Sequence, residues 1–313
     1  MLMFLLRRVG AGLVLLFVIA SATFFLLNLA GQDPARQVLG PVATAAQVDA
    51  KRAELGLDQP VLARYGEWLL SALRGDLGVS WFSNQPVTVL LGQALPATLS
   101  IVLGSVLVTA LVGTLIGASA AVRGGIIDRG LQLVSTFVQA VPNFLVALIL
   151  AFLFAVQLRV FPATGFTSFA SSPSGWAASI VLPVIALAVG SIAAVALQVR
   201  GSMIDVLRLD YIRTLRGRGL PAGSVLFRHA LRNAAPPSLT TLSLMFIVAI
   251  SGSVVVEKVF NIPGIGTSAN IAASRGDLPI VLGVVVVTVV LVVLVNLLVD
   301  LAQGWLNPKV RVS

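Results

Sequence analysis

The sequence predicts an all-α polytopic membrane protein with six transmembrane helices, and three observations carry that prediction. Hydrophobic residues make up 58% of the 313 positions and charged residues only 11%, where soluble domains carry about 25% charged residues. The apolar residues fall in six runs, each near the roughly 20 helical residues that cross a hydrocarbon core. Most of the 21 basic residues gather between those runs, the distribution that sets topology in membrane proteins.

The first span is placed over 9–30. Its apolar stretch is too long for a signal peptide and no small-residue cleavage site follows, so it is expected to remain as an anchor. The segment 32–96 has two expected amphipathic helices, 45–55 and 61–73. In the second, Val61, Leu62, Tyr65, Leu69 and Leu73 recur at helical spacing with Arg64 and Glu67 interleaved. The second span, 97–122, contains Gly113 and Gly117 as a G-x-x-x-G pair, which predicts close packing against another helix. The third, 131–156, carries Pro142 beside Asn143, and the proline should loosen the helix there. The fourth is placed over 176–199, the fifth over 237–256 and the sixth over 278–299. An inside start with six spans puts Arg7, Arg8, Arg123, Arg129, Arg200 and the arginines of 208–232 on the cytoplasmic side, with both termini.

Between spans four and five the chain reads DYIRTLRGRGLPAGSVLFRHALRNAAPP. Asp210 precedes a short run of helix formers, Gly219 stops it, Pro221 follows, and a second helical run is expected to end at Pro236. Two readings stand for its arginines. They satisfy the inside-positive bias, or they belong to a rigid helix-turn-helix that fits a groove on a soluble protein and carries rigid-body motion into the spans. After span five, Glu257 and Lys258 end the apolar run, and Pro263, Gly264 and Gly266 are expected to forbid a continuing helix, so the chain turns at the outer face. This turn is either a gate over the mouth of a path or an ordinary interfacial turn with Phe260 and Ile262 dipping into the headgroup layer.

Several classes are excluded. The chain has no cysteine and a single histidine, His229, in a loop, so thiol chemistry and Cys-ligated zinc are absent, and no metal site is expected. No G-x-S-x-G elbow or H-E-x-x-H helix occurs, and no catalytic residue is assigned. No acidic or basic residue lies well within a predicted span, which argues against a self-powered proton-coupled carrier. The three lysines, Lys51, Lys258 and Lys309, are followed by Arg, Val and Val, so there is no Walker A loop and no ATPase or other enzyme activity is expected of this chain. The net charge of +9 is explained by topology, and no nucleic-acid partner is expected.

The motifs in order resemble the B-type permease subunit of dipeptide and oligopeptide ABC importers, whose relatives also serve nickel and glutathione uptake. Arg213-Thr214-Leu215, Gly219 and His229-Ala230-Leu231-Arg232-Asn233 look like this branch's ATPase-docking motif, with Gly217 and Arg218 where relatives commonly have Ala and Lys. Leu55-Gly56-Leu57-Asp58-Gln59-Pro60, Gly75-Asp76-Leu77-Gly78 and Leu95-Pro96-Ala97-Thr98-Leu99 resemble the family's outer segment. VVVEKVFNIPGIG from Val254 to Gly266 is similar to its most recognisable stretch, and Val295 to Asp300 with Asn307-Pro308 matches its ending.

The resemblance implies a type I ABC importer permease in the bacterial cytoplasmic membrane. Its parts would be an N-terminal transmembrane helix (1–31), an extracytoplasmic helical segment (32–96), a five-helix core (97–303) with a cytoplasmic coupling loop (200–236), and a cytoplasmic tail (304–313). It implies alternating access that moves short peptides, with nickel, glutathione or another small solute as the alternative and an ATP-independent channel as a distant one. The implied partners are a homologous second permease, two cytoplasmic ABC ATPases that bind ATP and Mg, and an extracytoplasmic substrate-binding protein; the chain itself holds no cofactor. ATPase coupling falls to Asp210, Tyr211, Arg213, Thr214, Leu215, Arg216, Gly219 and Leu220. The outer gate falls to Glu257, Phe260, Pro263 and Gly264. Gln139, Asn143, Gln198 and Asn296, with Gln157, are expected along the path, because uncharged amides can follow a peptide backbone without selecting side chains; interhelical hydrogen bonding is their other reading. The outer helices either lie on the membrane surface or form a ledge for the binding protein.

Overall fold

The computed structural model describes residues 2–306. Among them the chain is predominantly helical and has no strand, only an isolated Val79–Pro86 bridge. The tail residues 307–313, with the Asn307-Pro308 ending, Lys309 and Arg311, lie outside the described residues. The helices are α1 (Leu2–Leu29), α2 (Pro34–Leu39), α3 (Ala45–Glu54), α4 (Val61–Leu73), α5 (Val87–Arg123), α6 (Gly125–Ala140), α7 (Asn143–Leu150) with a π-helical extension (Ala151–Gln157), α8 (Pro173–Leu207), α9 (Asp210–Gly217), a π-helical turn (Ser224–Ala230) running into α10 (Leu231–Val259), α11 (Ile265–Arg275) and α12 (Leu278–Leu306). They form two compact units, Thr98–Ile262 with the residues from Leu294 onward, and Leu2–Ala97 with Pro263–Val293.

Five helices among the described residues are long and apolar enough to span a membrane, and six spans result when α6 and α7 count as one broken span. That break corrects the expected continuous helix over 131–156: α6 and α7 meet at 91°. Val141 is extended (φ −85°, ψ 120°), the conformation forced on a residue preceding proline, and Pro142 then opens a new helix. A further correction concerns a helix end. The helical run after Pro221 does not stop at Pro236 but passes through Pro236 and Pro237 into α10. Proline's fixed φ is compatible with a helix, and the cost is confined to the carbonyls of Arg232 and Asn233, which lose their amide partners at a polar turn. After span five the chain does turn as expected: α10 ends at Val259 and a new helix, α11, with Gly266 in its first turn, begins at Ile265.

In the first unit α8 is the central element. Its most apolar stretch is 61% buried, against 17% for α1. The α5 glycines let that packing happen: a Cβ on Gly104 would lie 2.9 Å from Val184, one on Gly113 3.0 Å from Val195, and one on Gly117 would meet the Ala196 carbonyl and Val199. The Gly113–Gly117 pair therefore packs helix against helix, as its spacing predicts. Ser172 caps α8 by accepting from the Gly175 amide at 3.1 Å, with Pro173 at the first helical position. The first unit also contains an unanticipated bidentate ion pair between Asp128 of α6 and Arg200 of α8.

In the second unit, α3 opens with a capping box in which Thr44 and Gln47 satisfy each other's backbone amides. Helix α4 packs Tyr65 and Trp68 on Phe24, Phe25 and Leu278, and Tyr65 Oη shares a 2.6 Å hydrogen bond with Ser21. A second cluster joins Val87, Leu91 and Ala94 to Ile265 and Val284. Asp277 is buried and accepts from Ser80 Oγ at 2.6 Å and the Trp81 amide at 3.2 Å. Burial pushes its pKa up, and those hydrogen bonds pull it partly back. Helices α2 and α11 were not anticipated from sequence.

Candidate functional site

The segment with the most specific local construction is the hairpin that begins at α9. Helix α8 ends at Arg208, and extended Leu209 (φ −69°, ψ 145°) redirects the chain. Asp210 sits in the first turn of α9, where a carboxylate favours the helix dipole, and Arg216 sits in the last, where a cation does. The helix closes on a Schellman turn: the Gly219 amide donates to the Arg216 carbonyl at 3.0 Å and the Leu220 amide to the Leu215 carbonyl at 3.3 Å. Gly219 has φ +78°, a left-handed conformation that glycine takes without steric cost. This accounts physically for the stop that the sequence places there.

The burial pattern divides α9 into two faces. Ile212 is 0% exposed and packs with Val195, Val199 and Met203 of α8 and with Val225 and Ala230 of the π-helical turn, while Leu215 and Leu220 pack on the same cluster. Tyr211, Arg213, Thr214 and Arg216 are exposed. The Asp210–Arg213 pair, 3.5 Å apart and largely solvated, contributes little to stability. Asn233 of α10 donates to Tyr211 Oη at 2.9 Å and to the His229 carbonyl at 3.0 Å, so the two arms are tied at both the apolar and the polar face. Arg208 and Arg216 line a cavity of about 660 Å³ with Leu207, Leu220 and Leu226. All eight predicted coupling residues are thus gathered on one hairpin.

The residues predicted for the outer gate are differently placed. Helix α10 also ends on a Schellman turn, with Asn261 at φ +49° and the Ile262 amide donating to the Glu257 carbonyl at 2.8 Å. Phe260 is 2% and Ile262 1% exposed, so the alternative in which they dip into the headgroup layer does not hold: both are packed inside the protein. The Phe260 carbonyl accepts from the Gly165 amide at 2.8 Å. Glu257 is 0% exposed, and its carboxylate accepts from Thr98 Oγ1 at 2.7 Å. A buried carboxylate needs such donors. In the second unit Pro263 is exposed, Gly264 is buried, and the Gly264 carbonyl accepts from the Ser268 amide at 3.1 Å in the first turn of α11.

The amides predicted for a path do not meet, and among the described residues no hydrogen bond links any two of them. Gln139 is exposed on α6 and donates to the Ser135 carbonyl at 3.2 Å. Gln157 is exposed at the end of the π-helical extension. The Asn143 side chain lies against two glycines, Gly190 of α8 and Gly252 of α10. Gln198 donates to Ser202 on its own helix at 3.1 Å. Asn296 of α12 accepts from Ser243 of α10, an interhelical bond. Sequence reasoning also missed the Asp128–Arg200 pair. Its signal is the acid four positions after Gly124, opposite in sign to the arginine closing span four.

Comparison with known proteins supplies the identity. Residues 113–312 match the family described as "Binding-protein-dependent transport system inner membrane component", and residues 1–102 match its N-terminal companion, "Binding-prot-dependent transport system membrane comp, N-term". The chain is 39% identical over 309 residues to "Probable peptide ABC transporter permease protein y4tP" of Sinorhizobium fredii, covering 98% of this chain and 99% of that one. It is 34% identical over 333 residues to "Di/tripeptide transport system permease protein DppB" of Pseudomonas aeruginosa, covering 99% of each. With several membrane-spanning helices and a family match over well more than half its length, the chain belongs to the binding-protein-dependent transport system inner membrane components, the multi-pass permease subunits of ABC importers.

Proposed function

We propose that this permease forms, with a homologous second permease, the path through which an ATP-driven importer moves short peptides into the bacterial cell. Both relatives described above are named for peptide transport, and the match covers nearly the whole chain. In this reading both termini and the α9 hairpin face the cytoplasm, residues 32–96 are extracytoplasmic, and a binding protein delivers peptide to that outer face. Two partner ATPases bind ATP and Mg and grip α9.

The observation that carries the mechanism is the division of α9 into an exposed polar face and a buried anchor. Force applied to Tyr211, Arg213 and Arg216 would pass through Ile212 and Leu215 into α8 and α10, because a packed core transmits displacement instead of absorbing it. Closure of the ATPases would then turn the cavity outward, and hydrolysis with release would reverse the motion. At the other end of α10, the turn through Phe260, Pro263 and Gly264 with buried Glu257 would serve as the outer gate. Asn143, flanked by glycines on α8 and α10, is the amide best placed to respond when those helices shift; Gln139, Gln198 and Asn296 would line or brace the path.

The assembled transporter in liposomes provides the test, with its binding protein and a dipeptide inside or outside. Wild type should couple ATP turnover to peptide uptake. Arg216→Ala should leave the complex assembled while uptake per ATP hydrolysed falls at least several-fold. Unchanged coupling would refute the docking assignment, and uptake without ATPases would refute the driven mechanism.

A further inference from the structure

We infer that the cavity at the end of α1, lined by Asn28 and Arg64, is a binding site for the phosphate group of a membrane lipid. The inference concerns a site away from α9 and does not depend on which solute is transported. The cavity measures about 280 Å³ and lies wholly within the second unit, with Arg52, Asp33, Trp81 and Leu278 also on its wall.

Its charges do not balance. Arg52 donates to Asp33 at 2.6 Å, and although burial works to raise the Asp33 pKa, this hydrogen bond and the nearby cations hold it below the usual carboxylate range. Asp33 is thereby spent on Arg52, which also donates to Asp49, a residue outside the cavity wall, at 3.2 Å. Arg64 has no such partner: its one hydrogen bond among the described residues runs from Nη1 to the neutral side-chain oxygen of Asn28, at 3.1 Å. Burial lowers its pKa, with no neighbouring carboxylate to offset the effect. A guanidinium in that position has several N–H donors unspent, arranged for two oxygens of one oxyanion.

The position selects the source of the oxyanion. Helix α1 spans as Leu6–Leu29, so Asn28 lies in its last turn, where hydrocarbon gives way to headgroups. Leu26 and Leu29 flank Asn28 and are exposed, offering a surface for acyl chains beside the cavity. Helix α4, which carries Arg64, buries no residue fully and exposes Leu62, Leu70 and Leu73, the character of a helix lying in the membrane interface. A lipid phosphate is the anion present at that depth, while free phosphate would have to be drawn from bulk water.

Native mass spectrometry of the full-length chain, released from nanodiscs of phosphatidylethanolamine and phosphatidylglycerol, tests the site. Wild type should keep a phospholipid through detergent exchange. Arg64→Gln should retain it about tenfold less, as loss of a charge-assisted bidentate contact implies. Arg64→Lys should fall between, and Arg74→Gln, outside the cavity, should match wild type. Equal retention by Arg64→Gln overturns the inference. So does displacement of the lipid by millimolar inorganic phosphate, which would mark a free-oxyanion site. Should Arg64→Gln fail to fold, a phospholipid with a photoreactive headgroup decides on the wild-type chain: adducts on the segments 27–34 or 57–64 support the site, and adducts confined to other segments overturn it.

Discussion

Helix α9 and the end of α10 close on the same turn, a left-handed residue followed by an amide that reaches back five positions, yet they bury opposite amounts of what surrounds it. After α9 the turn residue Gly219 is exposed, as are Arg216, Arg218 and Pro221, and Ile212 is the one fully buried residue of the helix. At the end of α10, Glu257, Phe260 and Ile262 are all buried. The first turn presents a surface anchored by fully buried Ile212 with half-buried Leu215 and Leu220 beside it; the second is packed inward around the Glu257 side chain. The difference separates an exposed turn from an enclosed one, and each half of the contrast can be broken by substitution.

The largest effect is expected at the anchor. Ile212→Ala should cost about 2–5 kcal/mol, the range for emptying a fully buried aliphatic site. It should also uncouple ATP turnover from transport; thermal unfolding of the detergent-solubilised chain and a coupled uptake assay read the two separately. Next comes Thr98→Val, which keeps the shape but removes the hydroxyl that donates to Glu257. A buried acceptor deprived of that donor should cost about 1–3 kcal/mol, and Thr98→Ser should restore most of it. Gly219→Ala should cost about 1–2 kcal/mol from the left-handed backbone alone, because no atom lies within 4 Å of the added Cβ. The smallest change is Asn261→Gly, at the other turn. Asparagine already tolerates the left-handed region, so glycine there should raise stability by less than about 1 kcal/mol. Should Asn261→Gly destabilise strongly, its side chain does more than fill a turn.

How much of this was legible in the sequence depends on the range of the signal. The five unbroken spans, α3, α4, the Gly219 stop and the G-x-x-x-G contact rest on local pattern, and the fold has them where the pattern puts them. The break at Val141–Pro142 was legible as a weakness but not as a 91° bend, because the angle is set by what the two halves pack against. Pro236 and Pro237 read as a stop only if proline's lost hydrogen bond outweighs the packing of the helix that contains it, and here it does not. The burial of Phe260 and Ile262 and the pairing of Asp128 with Arg200 depend on residues distant in sequence, which no periodicity encodes. For the predicted coupling segment, the eight residues all fall within 210–220 and remain together on one hairpin. The path amides are scattered in both.

The central claim is that the exposed face of α9 is where ATP-driven motion enters this chain. The absence of native cysteine makes one measurement decisive: Arg213→Cys in the assembled transporter, with a short bifunctional thiol cross-linker and the partner ATPases present. If motion enters there, the Arg213→Cys thiol should cross-link to an ATPase subunit with a yield that changes between nucleotide-free and ATP-bound complexes. No cross-link in any nucleotide state, with the thiol instead labelled by an impermeant reagent added outside intact cells, would contradict it.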